Sequence, residues 1–131
     1  MRLLLDTHVV LWAASAPERL GDAAALVLEA EERWLSAAST WEMAIKQGLG
    51  KLSLGMSAGA WTARAVTELA LRPLPVTSAH AAGVEGLPSH HRDPFDRLLV
   101  AQAAAEGLVL LTADRALEPY GDVVRLLRLD P

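Results

Sequence analysis

Short apolar runs alternate with longer stretches in which apolar residues recur every three or four positions. "RLLL" at Arg2–Leu5 is an apolar run halted by Asp6-Thr7, which predicts a strand. Helix formers with three-to-four spacing fill residues 21–32, and "RWLSA" at 33–37 predicts a second strand. Residues 39–50 open on a capping serine and close on glycines, the two signals that bound a helix. Another helix is predicted over 56–72, where Trp61, Ala65 and Leu69 recur at spacing four. "LRPLPV" at 71–76 reads as extended, its prolines marking an edge or an end. Residues 77–87 predict a short helix. The clearest helix spans 93–107, with Asp93 as N-cap, Pro94 in the first turn and Gly107 as the stop. "LVLLT" (108–112) and "DVVRLL" (122–127) complete the strands. Strands separated by helices imply parallel pairing, so the expected fold class is α/β: a three-layer α/β/α sandwich around a mostly parallel sheet.

Composition narrows this only slightly. At 131 residues the chain, 1–131, is expected to be a single domain. Apolar residues make up 52% against 21% charged, which places it among globular proteins. With no cysteine there is no disulfide framework, thiolate zinc site or cysteine nucleophile. The opening "MRLLLDTHVVLW" lacks the basic start and unbroken apolar core of a secretory leader, and no apolar run is long enough for a membrane helix. A soluble, cytoplasmic protein with no membrane partner is expected. Sixteen acids against twelve bases give a net charge of −4, so binding to nucleic acid must rest on a local patch or a bound cation.

Four acids gain meaning once placed on these elements. Asp6 ends the first strand, Glu42 falls in the first turn of the helix after the second, Asp96 falls in the first turn of the strongest helix, and Asp114 follows "LVLLT" by two residues. In an open parallel sheet, carboxyl ends of strands and starts of the following helices share the edge where ligands bind. Structural alternatives stand beside each. Ser39 to Glu42 spells a capping box, Asp96 complements a helix dipole, and Asp114 can cap the turn "RALEPY". Helical geometry separates Asp96 from mere capping. At about 100° per residue its face is shared with Leu99, Val100, Ala103 and Ala104, while Arg97, Gln102 and Glu106 point elsewhere. Burying an ionised carboxylate is costly unless it is paired or metal-bound. Crowded acids raise one another's pKa unless a cation neutralises them, and an oxygen-only set suits Mg²⁺ or Mn²⁺. Thr7 and Thr112 are either supporting hydroxyls or ordinary strand-end threonines.

With "LLLDTHVVLW", "SAASTWEMAIKQGLGKL", "LPSHHRDPFDRLLVAQA" and "EGLVLLTADRAL" in order across nearly its whole length, the chain resembles the PIN-domain family, in particular its VapC-like ribonuclease toxins. The resemblance puts the family's acidic quartet on Asp6, Glu42, Asp96 and Asp114, with Asp93 an N-cap first and an auxiliary acid second. It implies a Mg²⁺- or Mn²⁺-dependent endoribonuclease that leaves a 3′-hydroxyl and a 5′-phosphate. Asp6, Glu42 and Asp96 would hold the metal, and Asp114 would act through water or a second ion. It also implies an RNA substrate, a VapB-like antitoxin and a homodimer that can assemble further.

Lys46, Arg92, Arg97 and Arg115 are candidates for holding RNA phosphates, with surface ion pairing as the alternative for each arginine. Trp12 and Trp61 are candidates for the groove that accepts the antitoxin, although the four tryptophans read first as packing residues. His8, His80, His90 and His91 show no two-histidine spacing on one helix face, and His90-His91 falls in a loop. A receiver-type signalling domain would need an adjacent acidic pair after the first strand, where Asp6-Thr7 stands. An Asp-x-Asp phosphatase would need an acid where His8 stands. The remaining alternative is a catalytically inactive PIN scaffold acting only as a binding module.

Overall fold

Five short strands, β1 (Arg2–Leu5), β2 (Glu32–Ser36), β3 (Arg72–Leu74), β4 (Val109–Thr112) and β5 (Val124–Leu126), form one sheet in the order β3-β2-β1-β4-β5. Every pairing is parallel, with Leu4 level with both Trp34 and Leu110. The structure is a computed structural model that describes residues 1–127. The helices are α1 (Thr7–Ser15), α2 (Ala23–Glu29), α3 (Ala37–Gly48), α4 (Ala58–Glu68), α5 (Ser78–Gly83) and α6 (Pro94–Glu106). None is long and apolar enough to cross a membrane.

Alternation along the central strands builds two cores. Leu3, Leu5 and Leu111 face one side, where Val9, Val10, Met43, Trp61 and Ala65 pack on them. Leu4 and Leu110 face the other, against Leu99, Val100, Ala103 and Leu117. A strand buried on both faces reads as a continuous apolar run, which is why "RLLL" and "LVLLT" were recognisable. The three-layer α/β/α expectation is met, with the sheet wholly parallel.

Two local expectations are corrected. Helix α1 was not anticipated: "THVVLWAAS" is β-branched and almost uniformly apolar, so it shows no three-to-four period, yet it folds as a helix buried on its Val9–Val10 side. Helix α3 begins earlier than expected. Its N-cap is Ser36, whose hydroxyl accepts the Ala38 N–H at 3.0 Å. Ser39 is therefore inside the helix, the Ser39–Glu42 capping box does not form, and Glu42 lies in the second turn. Helix α6 follows its signals closely. Asp93 caps it by accepting the Phe95 N–H, and Gly107 ends it at φ 67° with its N–H on Ala103. Gly107→Ala is expected to cost about 1 kcal/mol, because alanine resists that left-handed conformation. The check is thermal unfolding, with Tm lowered by roughly 3–5 °C.

Candidate functional site

The strand order reverses direction at β1. The chain steps outward through β2 to β3, then returns to β4 on the other side of β1. The crevice at the carboxyl ends of β1 and β4 is thus the switch point where ligands bind in such sheets. Here an open pocket of about 410 Å³ is lined by Asp6, Glu42, Asp93, Asp96 and Asp114, together with Lys46, His8, His91, Trp12 and Ala113. The four acids singled out in the sequence are drawn from strand ends and helix starts more than a hundred residues apart, and they line one cavity.

Each acid is held differently. Asp6 caps α1, accepting the Thr7 N–H at 2.7 Å, and its second oxygen accepts the Thr112 hydroxyl at 2.5 Å. Burial pushes the Asp6 carboxyl above its ordinary range, and those hydrogen bonds only partly offset it. Thr112 also accepts the Asp114 N–H at 3.0 Å, which ties the β4 end to both acids. Glu42 is buried; one of its oxygens accepts the Thr7 hydroxyl at 2.7 Å and the other the Lys46 ammonium at 2.6 Å. Ser39 supports Thr7 from 2.9 Å. Thr7 and Thr112 therefore sit against Glu42 and Asp6, as supporting hydroxyls would. Asp114 does cap the turn that follows it, through the Ala116 N–H, while its other oxygen meets His91 at 3.0 Å.

Asp96 is the exception. Among the described residues its carboxylate accepts no hydrogen bond meeting ordinary geometry, and its nearest basic side chain is His91 at 3.5 Å. Its side chain is only 14% exposed. Burial first, then the negative charges of Asp6, Asp93 and Glu42, push its pKa up to about 7, with His91 acting in the opposite direction. Five carboxylates and one lysine leave the cavity with excess negative charge, which burial makes costly. A hard divalent cation fits that deficit, and the oxygen-rich donor set fits Mg²⁺ or Mn²⁺.

The other candidates divide between the pocket and its surroundings. Arg97 is corrected: its Nη2 donates to the carbonyls of Val84 and Leu87, so it pins the loop before α6 instead of facing substrate. Gln102 is also corrected. Grouped with the polar residues away from the Asp96 face, it is fully buried and bonded to Ser36 and the Pro75 carbonyl. Trp61 is 9% exposed and packs in the core, so it lines no shared groove with Trp12. Trp12 does stand at the pocket, with the Arg19 guanidinium 4.4 Å from its ring centre. Lys46 is in the pocket, while Arg92 and Arg115 are exposed. His91, set aside with the other histidines on sequence grounds because its loop carries no periodic signal, does line the pocket. The one available hint was a histidine two residues before the N-cap of an acid-bearing helix turn.

The sequence pattern of the PIN domain family matches residues 3–122. Ribonuclease VapC22 of Mycobacterium tuberculosis (strain ATCC 25618 / H37Rv) is 33% identical over 120 residues, covering 90% of this chain and 91% of that protein. Among solved structures, FitAcB from Neisseria gonorrhoeae superposes with a TM-score of 0.64 at 25% identity, covering 95% of this chain and 96% of the other. VapBC2 from Rickettsia felis, bound to a DNA fragment from its promoter, gives a TM-score of 0.68 at 16% identity over 99% and 100% of the two chains, a likeness of fold.

Proposed function

Because the chain belongs to the PIN domain family, we propose that its acidic pocket is the active site of an endoribonuclease, the toxin of a toxin–antitoxin pair. The observation that carries this is the meeting of Asp6, Glu42, Asp96 and Asp114 in one cavity with a single lysine as counter-charge. Asp6, Glu42 and Asp96 would hold Mg²⁺ or Mn²⁺, and Asp114 would stand behind them. Such a cation, when bound, polarises the phosphodiester and lowers the pKa of the attacking water. The chain's own part is to hold the carboxylates in place. Thr7 and Lys46 fix both oxygens of Glu42, and Thr112 fixes Asp6. Exposed Arg92 and pocket-lining Lys46 supply positive charge for RNA phosphates. Hydrolysis leaves a 3′-hydroxyl and a 5′-phosphate. No observation favours the binding-only alternative.

The test is cleavage of RNA by the purified chain, freed of any partner. Activity is expected with Mg²⁺ or Mn²⁺, to vanish in EDTA, and to return when the ion is restored. Cleavage that persists in EDTA contradicts the proposal.

The 131 residues act as one PIN-like unit in the cytoplasm, paired with a VapB-like antitoxin. A second copy of the chain is the further partner. Its support is an apolar stripe along α3 and its C-cap, where Trp41 (60% exposed), Ile45 and Leu49 (64% exposed) recur at spacing four. Exposed stripes of this kind mark protein-binding faces. Trp41→Glu is expected to weaken self-association on the order of a hundredfold, since it removes a central aromatic anchor. Light scattering across concentration reads this as a shift from dimer to monomer, with RNA cleavage conditions and fold otherwise unchanged.

A further inference from the structure

We propose that Arg19, seated over the Trp12 indole beside the acidic pocket, binds a phosphate of the RNA strand next to the one that is cleaved, with Trp12 as its positioning residue. This rests on the ribonuclease reading above and adds to it a substrate contact outside the acidic quartet.

The pocket itself offers little to such a phosphate. Its lining carries five carboxylates, and the ammonium of its one lysine, Lys46, is bonded to Glu42 at 2.6 Å. The phosphates flanking the scissile one therefore meet a negative field. In a chain of net charge −4, the balancing charge has to stand beside the cavity. Several arginines are committed elsewhere. Arg33 and Arg97 donate to backbone carbonyls, and Arg2, Arg64 and Arg72 pair with glutamates. Of the arginines with no ion pair or hydrogen bond among the described residues, Arg19 is the one stacked on a side chain that lines the pocket.

That stacking suits a phosphate clamp. The Arg19 guanidinium carbon is 4.4 Å from the Trp12 ring centre, a cation–π distance. The contact steadies the planar fork without using its N–H groups, so its donors stay open to a phosphate. Arg19 is exposed, whereas Trp12 is half-buried. The backbone fixes both. Trp12 is in the second turn of α1, and its carbonyl accepts the Ala16 N–H at 2.7 Å. A 3-10 turn, Pro17–Leu20, follows at once; the Arg19 N–H donates to the Ala16 carbonyl at 2.9 Å, and buried Leu20 anchors the end of the turn. An acidic peptide would meet the same guanidinium, but the carboxylates beside it would repel its remaining charge. RNA differs, because its neighbouring phosphate is what a cation in the pocket would hold.

Binding of a labelled, mixed-sequence single-stranded RNA to the full chain, followed by fluorescence anisotropy in chelator so that no cleavage competes, tests this. Arg19→Gln is expected to weaken binding about tenfold and to flatten the slope of log K against log salt by about 0.7, the share of one phosphate contact. Arg19→Lys keeps the charge but not the fork, so it should restore the slope and only part of the affinity. In a Trp12→Leu background, Arg19→Gln should cost less than about threefold, since the two residues act as a unit. Unchanged binding and slope in Arg19→Gln would overturn the proposal, as would full additivity with Trp12→Leu. A lowered Tm with RNA binding unaltered, the mark of a purely structural arginine, would overturn it too. Cleavage in Mg²⁺ judges the ribonuclease reading separately. Equal KM for Arg19→Gln and the unaltered chain would overturn this proposal and leave that reading standing. No cleavage by the unaltered chain with either metal would overturn that reading, with the anisotropy still deciding the part of Arg19.

Discussion

Asp96→Asn should reduce RNA cleavage by on the order of a thousandfold or more, with the protein still folded. Asp96 is the pocket carboxylate with no hydrogen-bond donor of ordinary geometry among the described residues, and it lies among Asp6, Asp93 and Glu42. Asparagine keeps its size but removes the charge a cation would bind. Because the carboxylate is half-starved of solvent and of partners, its loss relieves repulsion. In chelator near about pH 8 the variant is therefore expected to melt at a higher temperature than the unaltered chain. An inactive variant with a raised Tm cannot be dismissed as misfolded. Asp93→Asn is the comparison: it keeps an N-cap that can accept the Phe95 N–H, and it should lower cleavage by only about tenfold or less. Equal loss in both variants would move the metal site toward the α6 cap, contrary to this account.

The second large effect is a coupling of stability, pH and metal. The Asp96 carboxyl titrates at about 7 in the folded chain against an ordinary 3.8, and Asp6 is raised in the same sense, both chiefly through burial. Between those values the folded chain binds more protons than the unfolded one, so its stability falls as pH rises and levels off above the folded pKa. For Asp96 the three-unit difference, discounted for its solvent-facing part, is worth roughly 2 kcal/mol. With metal chelated, Tm is expected to be several degrees higher near about pH 5 than near about pH 8. Mg²⁺ or Mn²⁺ should raise Tm far more at the higher pH, where it does not compete with protons for the carboxylates. In Asp96→Asn both the slope and the metal response should shrink. Equal metal stabilisation at both pH values would contradict a carboxylate site.

Much of this site was legible before any coordinates, and for a physical reason. Strands buried on both faces are uninterrupted apolar runs, and a strand followed by a helix places its next polar residue at the binding edge, so Asp6 and Asp114 could be located from "RLLL" and "LVLLT". The caps of α6 were equally plain, because Asp93-Pro94 and Gly107 each satisfy a backbone requirement within one turn. What stayed hidden depends on side chains that reach across elements. Glu42 spells a capping box with Ser39 in the sequence, but Ser36 takes the cap and leaves Glu42 to Thr7 and Lys46. Gln102 and Arg97 look like surface positions on α6. Burial of the β3–α5 turn and of the preceding loop against that helix gives each a backbone carbonyl to satisfy. Likewise, Trp61 and Trp41 are indistinguishable by spacing, and only the packing of α4 puts one in the core and leaves the other in the open.

Anomalous scattering from crystals of the chain grown with Mn²⁺ tests the central claim most directly. A peak is expected in contact with the carboxylates of Asp6 and Asp96 and within reach of Glu42, absent when the same crystals are grown with Asp96→Asn. A cavity that stays free of metal at high Mn²⁺, or an ion bound only away from these three side chains, would contradict it.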